Sequence, residues 1–174
     1  MKKNTAAKES GGRTGVLFLT QAAVIAALYV ALTLIFQPIS YGEVQLRVSE
    51  ALTILPFFTP AAIPGLFVGC LIANILGGAI ILDIIFGSLA TLIGAVFAYL
   101  LRKNRWLVPI PTILSNTVIV PLVLKFGYGV DLPLWLEAIA IFAGEFVSCY
   151  VFGEILLSAL KPVQKAIFQK TAET

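Results

Sequence analysis

The sequence predicts an all-α membrane protein, a six-transmembrane-helix bundle with cytoplasmic N- and C-termini. Of the 174 residues, 59% are hydrophobic and only 12% are charged, whereas a soluble domain carries about 25% charged residues. The mean hydropathy is +0.99. The apolar residues lie in long continuous runs, unlike the short alternating strands of an outer-membrane barrel.

Four apolar runs are each long enough to cross a membrane: residues 16–37, 80–101, 106–125 and 134–160. About 20 helical residues cover the ~30 Å of hydrocarbon. The first run is too long for a signal-peptide core of about 7–15 residues. We therefore expect residues 1–15 to be a cytoplasmic tail ahead of an uncleaved first span.

The distribution of basic residues decides how the apolar stretch 44–78, interrupted by three prolines, crosses the membrane. Ten of the twelve basic residues lie before the first span, between residues 101 and 106, or after the last span. If all three places are cytoplasmic, as the positive-inside rule favours, this stretch must cross twice or not at all. We expect two short helices hinged at residues 56–64 on the inner side. The six-helix transmembrane domain then covers residues 16–160, and residues 161–174 form a cytoplasmic tail.

Several function classes lack their usual motifs in this chain. It has no histidine, no GxxxxGK[ST] loop, and no spacing that pairs a nucleophile with a base. Cys70 and Cys149 each lie inside an apolar run, where buried inert thiols are the default interpretation. We expect neither an enzyme nor a bound metal or cofactor.

Polar residues in the outer half of the predicted bundle are the candidate ligand site. A charged group inside hydrocarbon costs about 2.5–3.5 kcal/mol on insertion scales, so it normally faces a protein interior or a cavity. Five outer acids face only two outer basic residues, which predicts a ligand that is cationic or rich in N–H donors. Each of spans two to six carries one candidate, and the first external loop carries a sixth, an arginine. In chain order on the spans they are Glu50, Asn74, Asp83, Asn116 and Glu145, and the loop residue is Arg47.

Structural alternatives stand beside this interpretation. Asp83 could cap the fourth span, and both asparagines could form hydrogen bonds between helices. Arg47 and Glu50 could pair in a loop. Glu145 is the hardest to explain structurally, because it lies ~12 Å deeper than Glu137, which we expect at the water interface.

Aromatic residues accompany the predicted external loops, residues 38–47, 77–82 and 126–133. Tyr41, Tyr128 and Trp135 could anchor the chain at the membrane interface. They could also form a lid that stacks on a flat ring. The sequence leaves both possibilities open.

Small residues repeat at a spacing of four on the first span, at Ala23, Ala27 and Ala31, with Ala22 and Ala26 widening the stripe. Such a stripe allows another helix to approach closely. It could serve packing inside the bundle or docking of another protein.

The stretch GEVQLRVSEALTILPFFTPAAIPGLFVGCLIANILGG, residues 42–78, resembles the QueT-type family of queuosine-precursor transport proteins. These are substrate-binding S components of energy-coupling factor (ECF) transporters, a class of ATP-driven importer. The resemblance implies a bacterial, multi-pass cell-membrane subunit that works with a membrane T component and two cytoplasmic ATPases. It implies that the alanine stripe meets the T component and that the substrate is 7-aminomethyl-7-deazaguanine.

That ligand is compatible with the residues. Its amine suits a buried carboxylate, and its guanine-like edge offers N–H donors to a second carboxylate or an asparagine. Two alternatives remain open: an S component for another vitamin or micronutrient, and a stand-alone secondary transporter. A stand-alone secondary transporter is disfavoured, because such transporters often have broken helices at matching positions in their two halves, and no clear match occurs in this sequence.

Overall fold

The computed structural model describes the backbone of residues 2–40 and 46–168, with side chains from residue 15 onward in these ranges. All regular secondary structure in them is helical. The α-helices are α1 (Lys2–Ile35), α2 (Gln37–Ser40), α3 (Ala62–Leu76), α4 (Ile81–Leu100), α5 (Ile110–Val123), α6 (Leu134–Glu145), α7 (Gly153–Leu160) and α8 (Gln164–Phe168). Three 3₁₀ helices (Val48–Phe57, Arg105–Leu107 and Lys161–Val163) and two π-helical segments (Leu124–Tyr128 and Phe146–Phe152) complete the set.

Four helical stretches are long and apolar enough to cross a membrane, and they correspond to the four runs found in the sequence. They cover Gly15–Ile35, Ile81–Leu100, Arg105–Tyr128 and Leu134–Phe168. The expected pair of short helices is also present, as the 3₁₀ helix Val48–Phe57 and α3. At ~2.0 and ~1.5 Å per residue, these two helices reach only about 20 Å, less than the hydrocarbon thickness. Six full crossings therefore stay a prediction.

The 3₁₀ helix Val48–Phe57 lies inside the bundle. Every residue from Ser49 to Pro56 is buried, and the helix contacts α1, α4, α7 and the π-helical segment Phe146–Phe152. Around it, α1 packs on α3, α3 on α4, α4 on α5, and α5 on α6. Runs of 3₁₀ helix beyond three or four residues are uncommon and often mark a strained or functional segment. Because it is ten residues long, this 3₁₀ helix is the element that depends most on packing against its neighbours.

Glycines set the close contact between α1 and α3. A Cβ atom on Gly65 would lie 2.8 Å from the Ala22 carbonyl oxygen, and one on Gly69 would lie 3.0 Å from Ala26 Cα. Ala22 and Ala26 are buried by this packing. These two alanines therefore serve packing inside the bundle, which is one of the two roles that the sequence left open for the stripe.

Side chains and a terminal helix close the end of the bundle that holds the 101–106 connection. The Arg105 guanidinium pairs with Glu154 and donates to Ser158 Oγ at 3.2 Å. The Glu154 side chain is only 12% exposed. The chain beyond residue 160 returns to the bundle, where the Phe168 ring stacks on Phe58 with centroids 5.1 Å apart. The first half of the predicted tail is thus packed against the helices.

The positive-inside assignment predicts that Asn104 and Gly129 lie on opposite sides of the membrane. The helical stretch Arg105–Tyr128 separates them, and its 24 residues span about 36 Å. Single cysteines at these positions should react with an impermeant thiol reagent from opposite sides in intact cells, Gly129→Cys from outside and Asn104→Cys only after permeabilisation. Cys70 and Cys149 are buried, so the unsubstituted chain serves as the low-background control. Labelling of both positions from one side would contradict the topology.

Candidate ligand-binding site

Two buried carboxyl groups from distant parts of the chain meet inside the bundle. The carboxylate oxygens of Glu50 and Glu145 and the Cys149 sulfur all lie within 4.8 Å of one another. Glu50 is fully buried and Glu145 is 5% exposed. The 3₁₀ helix carries Glu50, whereas Glu145 is the last residue of α6.

Each carboxyl group of this pair is held by neighbouring side chains. The Tyr29 hydroxyl on α1 donates to Glu50 Oε1, and the Cys149 thiol donates to Glu145 Oε2 at 3.1 Å. The Asn116 amide on α5 lies close enough to Glu145 to interact with its carboxyl group. Among the described residues Glu50 Oε2 has no hydrogen-bond partner. One oxygen of the pair is therefore left for a ligand.

A second polar group adjoins the pair and is centred on the Cys70 sulfur. Arg47 Nη1 lies 3.8 Å from this sulfur, Asn74 Nδ2 lies 3.7 Å away, and Thr91 Oγ1 lies 3.4 Å away. Arg47 is 6% exposed and close enough to Glu50 and Asp83 for direct electrostatic interaction. The guanidinium is thus within electrostatic range of a carboxyl group in each of the two polar groups.

Asp83 joins α3, α4 and the π-helical segment Leu124–Tyr128. Its Oδ2 accepts from the Tyr128 hydroxyl at 3.1 Å, and its backbone carbonyl accepts from Asn74 Nδ2 at 3.3 Å. The start of α4 has no side-chain cap, so the capping interpretation of Asp83 is wrong. A Cβ atom on Gly87 would lie 2.8 Å from Asp83 Oδ1, and the glycine keeps that oxygen unobstructed.

Helix geometry explains why these side chains converge. In a 3₁₀ helix residues three apart are eclipsed, so Arg47, which precedes the first turn, lies in line with Glu50. On α6, residues four and eight apart lie on one face, and Glu137, Ile141 and Glu145 are all buried there. Glu145 stands at the junction of α6 with the π-helical segment Phe146–Phe152, a local geometry that is frequent at functional sites.

Six of the eight predicted ligand-site residues are buried and fall into these two groups. They are Glu50, Asn116 and Glu145 in the first group, and Arg47, Asn74 and Asp83 in the second. Trp135 is 65% exposed, as an interface anchor would be. Tyr41 lies outside the described residues. Ligand contact by any of the eight stays a prediction.

Sequence reasoning missed two residues of the first group, Tyr29 and Cys149, and did not predict the burial of a further acid, Glu137. Tyr29 and Cys149 gave no signal, since both lie in apolar runs and their partners are far away in the chain. Glu137 was expected at the water interface, but it is only 2% exposed, and both its carboxylate oxygens lack a hydrogen-bond partner within the described part of the chain. Its spacing of eight residues from Glu145 could have indicated a shared buried face.

Acidic side chains outnumber basic ones among the buried residues that the structure describes. Four carboxyl groups are buried there against one guanidinium, that of Arg47; the four are Glu50, Asp83, Glu137 and Glu145. Carboxylates and a thiol are also possible metal ligands, and Glu50, Glu145 and Cys149 are the described residues close enough together to hold an ion. The arrangement can therefore bind an organic cation or a metal ion.

Comparison with protein families matches residues 19–162 to the family described as QueT transporter. The match covers most of the chain, including the buried polar residues. The chain belongs to the QueT transporter family.

A curated relative of this QueT transporter chain is the "Queuosine precursor transporter QueT" of Lactococcus lactis subsp. cremoris (strain MG1363). The two are 44% identical over 73 residues, which cover 41% of this chain and 43% of the relative. The alignment thus spans less than half of either protein. No solved structure matches the chain. With its apolar helices, this member of the QueT family is a multi-pass protein of the cell membrane.

We expect the Tyr128 hydroxyl to tether the Leu124–Tyr128 segment to α4, because it contacts both Asp83 and the Ile80 backbone N–H. A hydrogen bond to a charged group contributes about 1.5–3 kcal/mol, and partial exposure of Tyr128 reduces this. Tyr128→Phe should therefore lower the melting temperature in detergent by a few degrees. Tyr99→Phe is the control, since it keeps the ring under Arg102. Equal melting temperatures for the two variants would contradict the tether.

Proposed function

We propose that this chain is the substrate-binding S component of an ECF-type ABC importer and that it captures the queuosine precursor 7-aminomethyl-7-deazaguanine for ATP-driven uptake. The observation that carries the proposal is the excess of buried carboxyl groups over buried cations. A carboxylate in a low-dielectric interior is stabilised by a nearby cation, and this ligand carries an amine. The name of the Lactococcus lactis relative, a queuosine precursor transporter, supports a substrate of this class.

The two groups of polar residues match the two ends of the ligand. The acid pair of Glu50 and Glu145 suits the aminomethyl group. At the other end, Asp83 and Asn74 offer acceptors and donors to the guanine-like edge, and Arg47 can donate to its carbonyl oxygen. Gly87 allows the Asp83 carboxylate and the Asn74 amide to lie against α4, because a Cβ there would be 2.8 Å from Asp83 Oδ1 and 3.3 Å from Asn74 Nδ2.

Two observations support the proposal that this chain works together with partner proteins. The sequence contains no GxxxxGK[ST] loop, so this chain has no P-loop with which to hydrolyse ATP itself. The residues of the stripe, Ala23, Ala27 and Ala31, are exposed on α1, whereas the neighbouring Ala22 and Ala26 pack against α3. The exposed stripe is therefore available to a helix of the T component, which would bring two cytoplasmic ATPases with it.

Uptake in cells that lack their own queuosine-precursor transport tests the proposal. Labelled 7-aminomethyl-7-deazaguanine should accumulate only when this chain is expressed with a T component and both ATPases. Accumulation with the chain alone would favour a stand-alone secondary transporter. Failure of the purified chain to bind the compound would exclude it as the substrate and favour another micronutrient.

The docking role of the stripe predicts that a bulky residue there blocks uptake without disturbing the ligand site. Ala27→Trp should reduce uptake to background, because the indole occupies the surface that a partner helix needs, while the isolated chain keeps its affinity. Ala143→Trp, at an exposed alanine of α6, is the matched control and should transport normally. Loss of ligand binding in Ala27→Trp would show that the stripe serves internal packing instead.

A further inference from the structure

The acid pair has a feature that a purely structural role does not explain. Glu50 and Glu145 come from different helices, are almost fully buried, and have carboxylate oxygens within 4.8 Å of each other. In the described structure Glu50 Oε2 has no hydrogen-bond partner. Buried polar groups in native proteins normally have one, so an orphan carboxylate oxygen indicates a missing partner.

Electrostatics define the kind of partner that fits. Two ionised carboxylates this close repel each other in a low-dielectric interior. A cation between them removes the repulsion and interacts with both. A primary ammonium has three N–H donors and can therefore donate to both carboxylates at once.

Neighbouring side chains hold one oxygen of each carboxyl group in the pair. Tyr29 donates to Glu50 Oε1, and Cys149 donates to Glu145 Oε2. Both donors are themselves buried, as is Asn116 beside Glu145. With these oxygens engaged, the two carboxyl groups are fixed in place before a ligand arrives, which limits the entropy lost on binding.

We propose that Glu50 and Glu145 form a single ammonium-binding subsite that makes the protein selective for amine-bearing deazapurines over neutral ones. The inference rests on the proposed function and refines it. Shape and ring-edge contacts hold the heterocycle, whereas the acid pair discriminates by charge. Removing one carboxylate charge therefore lowers affinity for the amine and leaves affinity for the bare ring.

The test compares two probes on detergent-purified protein by calorimetry: 7-aminomethyl-7-deazaguanine and 7-deazaguanine, which lacks the amine. We expect the unsubstituted chain to prefer the amine by at least about tenfold, since a charge-assisted hydrogen bond contributes that much affinity or more. Glu50→Gln and Glu145→Gln, both near-isosteric, should each reduce this preference by about tenfold. Their affinity for 7-deazaguanine should change less than about threefold, which also reports that the variants are folded.

Asp131→Asn is the matched control, because it removes one negative charge from an exposed loop position. It should leave the preference unchanged. An unaltered preference in both glutamine variants would overturn the subsite, even if the unsubstituted chain binds the amine well. If the unsubstituted chain binds neither probe, the proposed substrate fails instead.

A metal ion is the competing occupant, since the same carboxylates and the Cys149 thiol could ligate one. Zn²⁺ should bind weakly and be displaced by the amine. Zn²⁺ that binds tightly, requires Cys149 and is retained in the presence of saturating amine would overturn the ammonium assignment.

Discussion

The structure depends on keeping a short polar 3₁₀ helix away from lipid. Backbone and side-chain polar groups at membrane depth must be satisfied inside the protein, because hydrocarbon offers no hydrogen bonds. The helix Val48–Phe57 meets this condition by being surrounded by α1, α4, α7 and the segment Phe146–Phe152. Glu50 of this helix accepts a hydrogen bond from Tyr29, and Ser49 shares one with Thr33. Two successive turns of α1 therefore hold the 3₁₀ helix in place.

The charge balance follows from this arrangement. A bundle that placed polar residues inside only for cohesion would be expected to pair them, as Asn74 is paired with Asp83. Glu50 and Glu137 instead retain carboxylate oxygens without partners among the described residues. The unpartnered oxygen of Glu50 therefore supports the proposed binding role of the acid pair.

The sequence was informative where periodicity and charge determine structure. It predicted the four long helices and the proline-rich break before α3, since hydropathy and basic clusters are properties of the chain itself. It also grouped five polar residues at compatible depths in the interior, because a charge in hydrocarbon normally faces the protein interior. All five are buried: Glu50, Asn74, Asp83, Asn116 and Glu145.

Contacts between segments that are distant in the chain were harder to predict from the sequence. Tyr29 and Cys149 are ordinary members of apolar runs until the fold brings them to the carboxyl groups. The 3₁₀ geometry of residues 48–57 is set by packing around them, which composition does not encode. The return of Phe168 to Phe58 depends on the same tertiary context.

Helix α1 has one exposed face and one face packed inside the bundle, and this restricts where residues can be inserted into or deleted from the chain. Ala27 lies on the exposed face and Tyr29, two residues later, on the buried one. Since each residue advances an α-helix by about 100°, one inserted residue between them would turn the Tyr29 hydroxyl away from Glu50 or turn the alanines toward α3. Point substitutions can be absorbed along this segment, but a change in its length cannot. Insertions and deletions in related chains should therefore fall outside residues 22–33, where the register of one helix serves two surfaces.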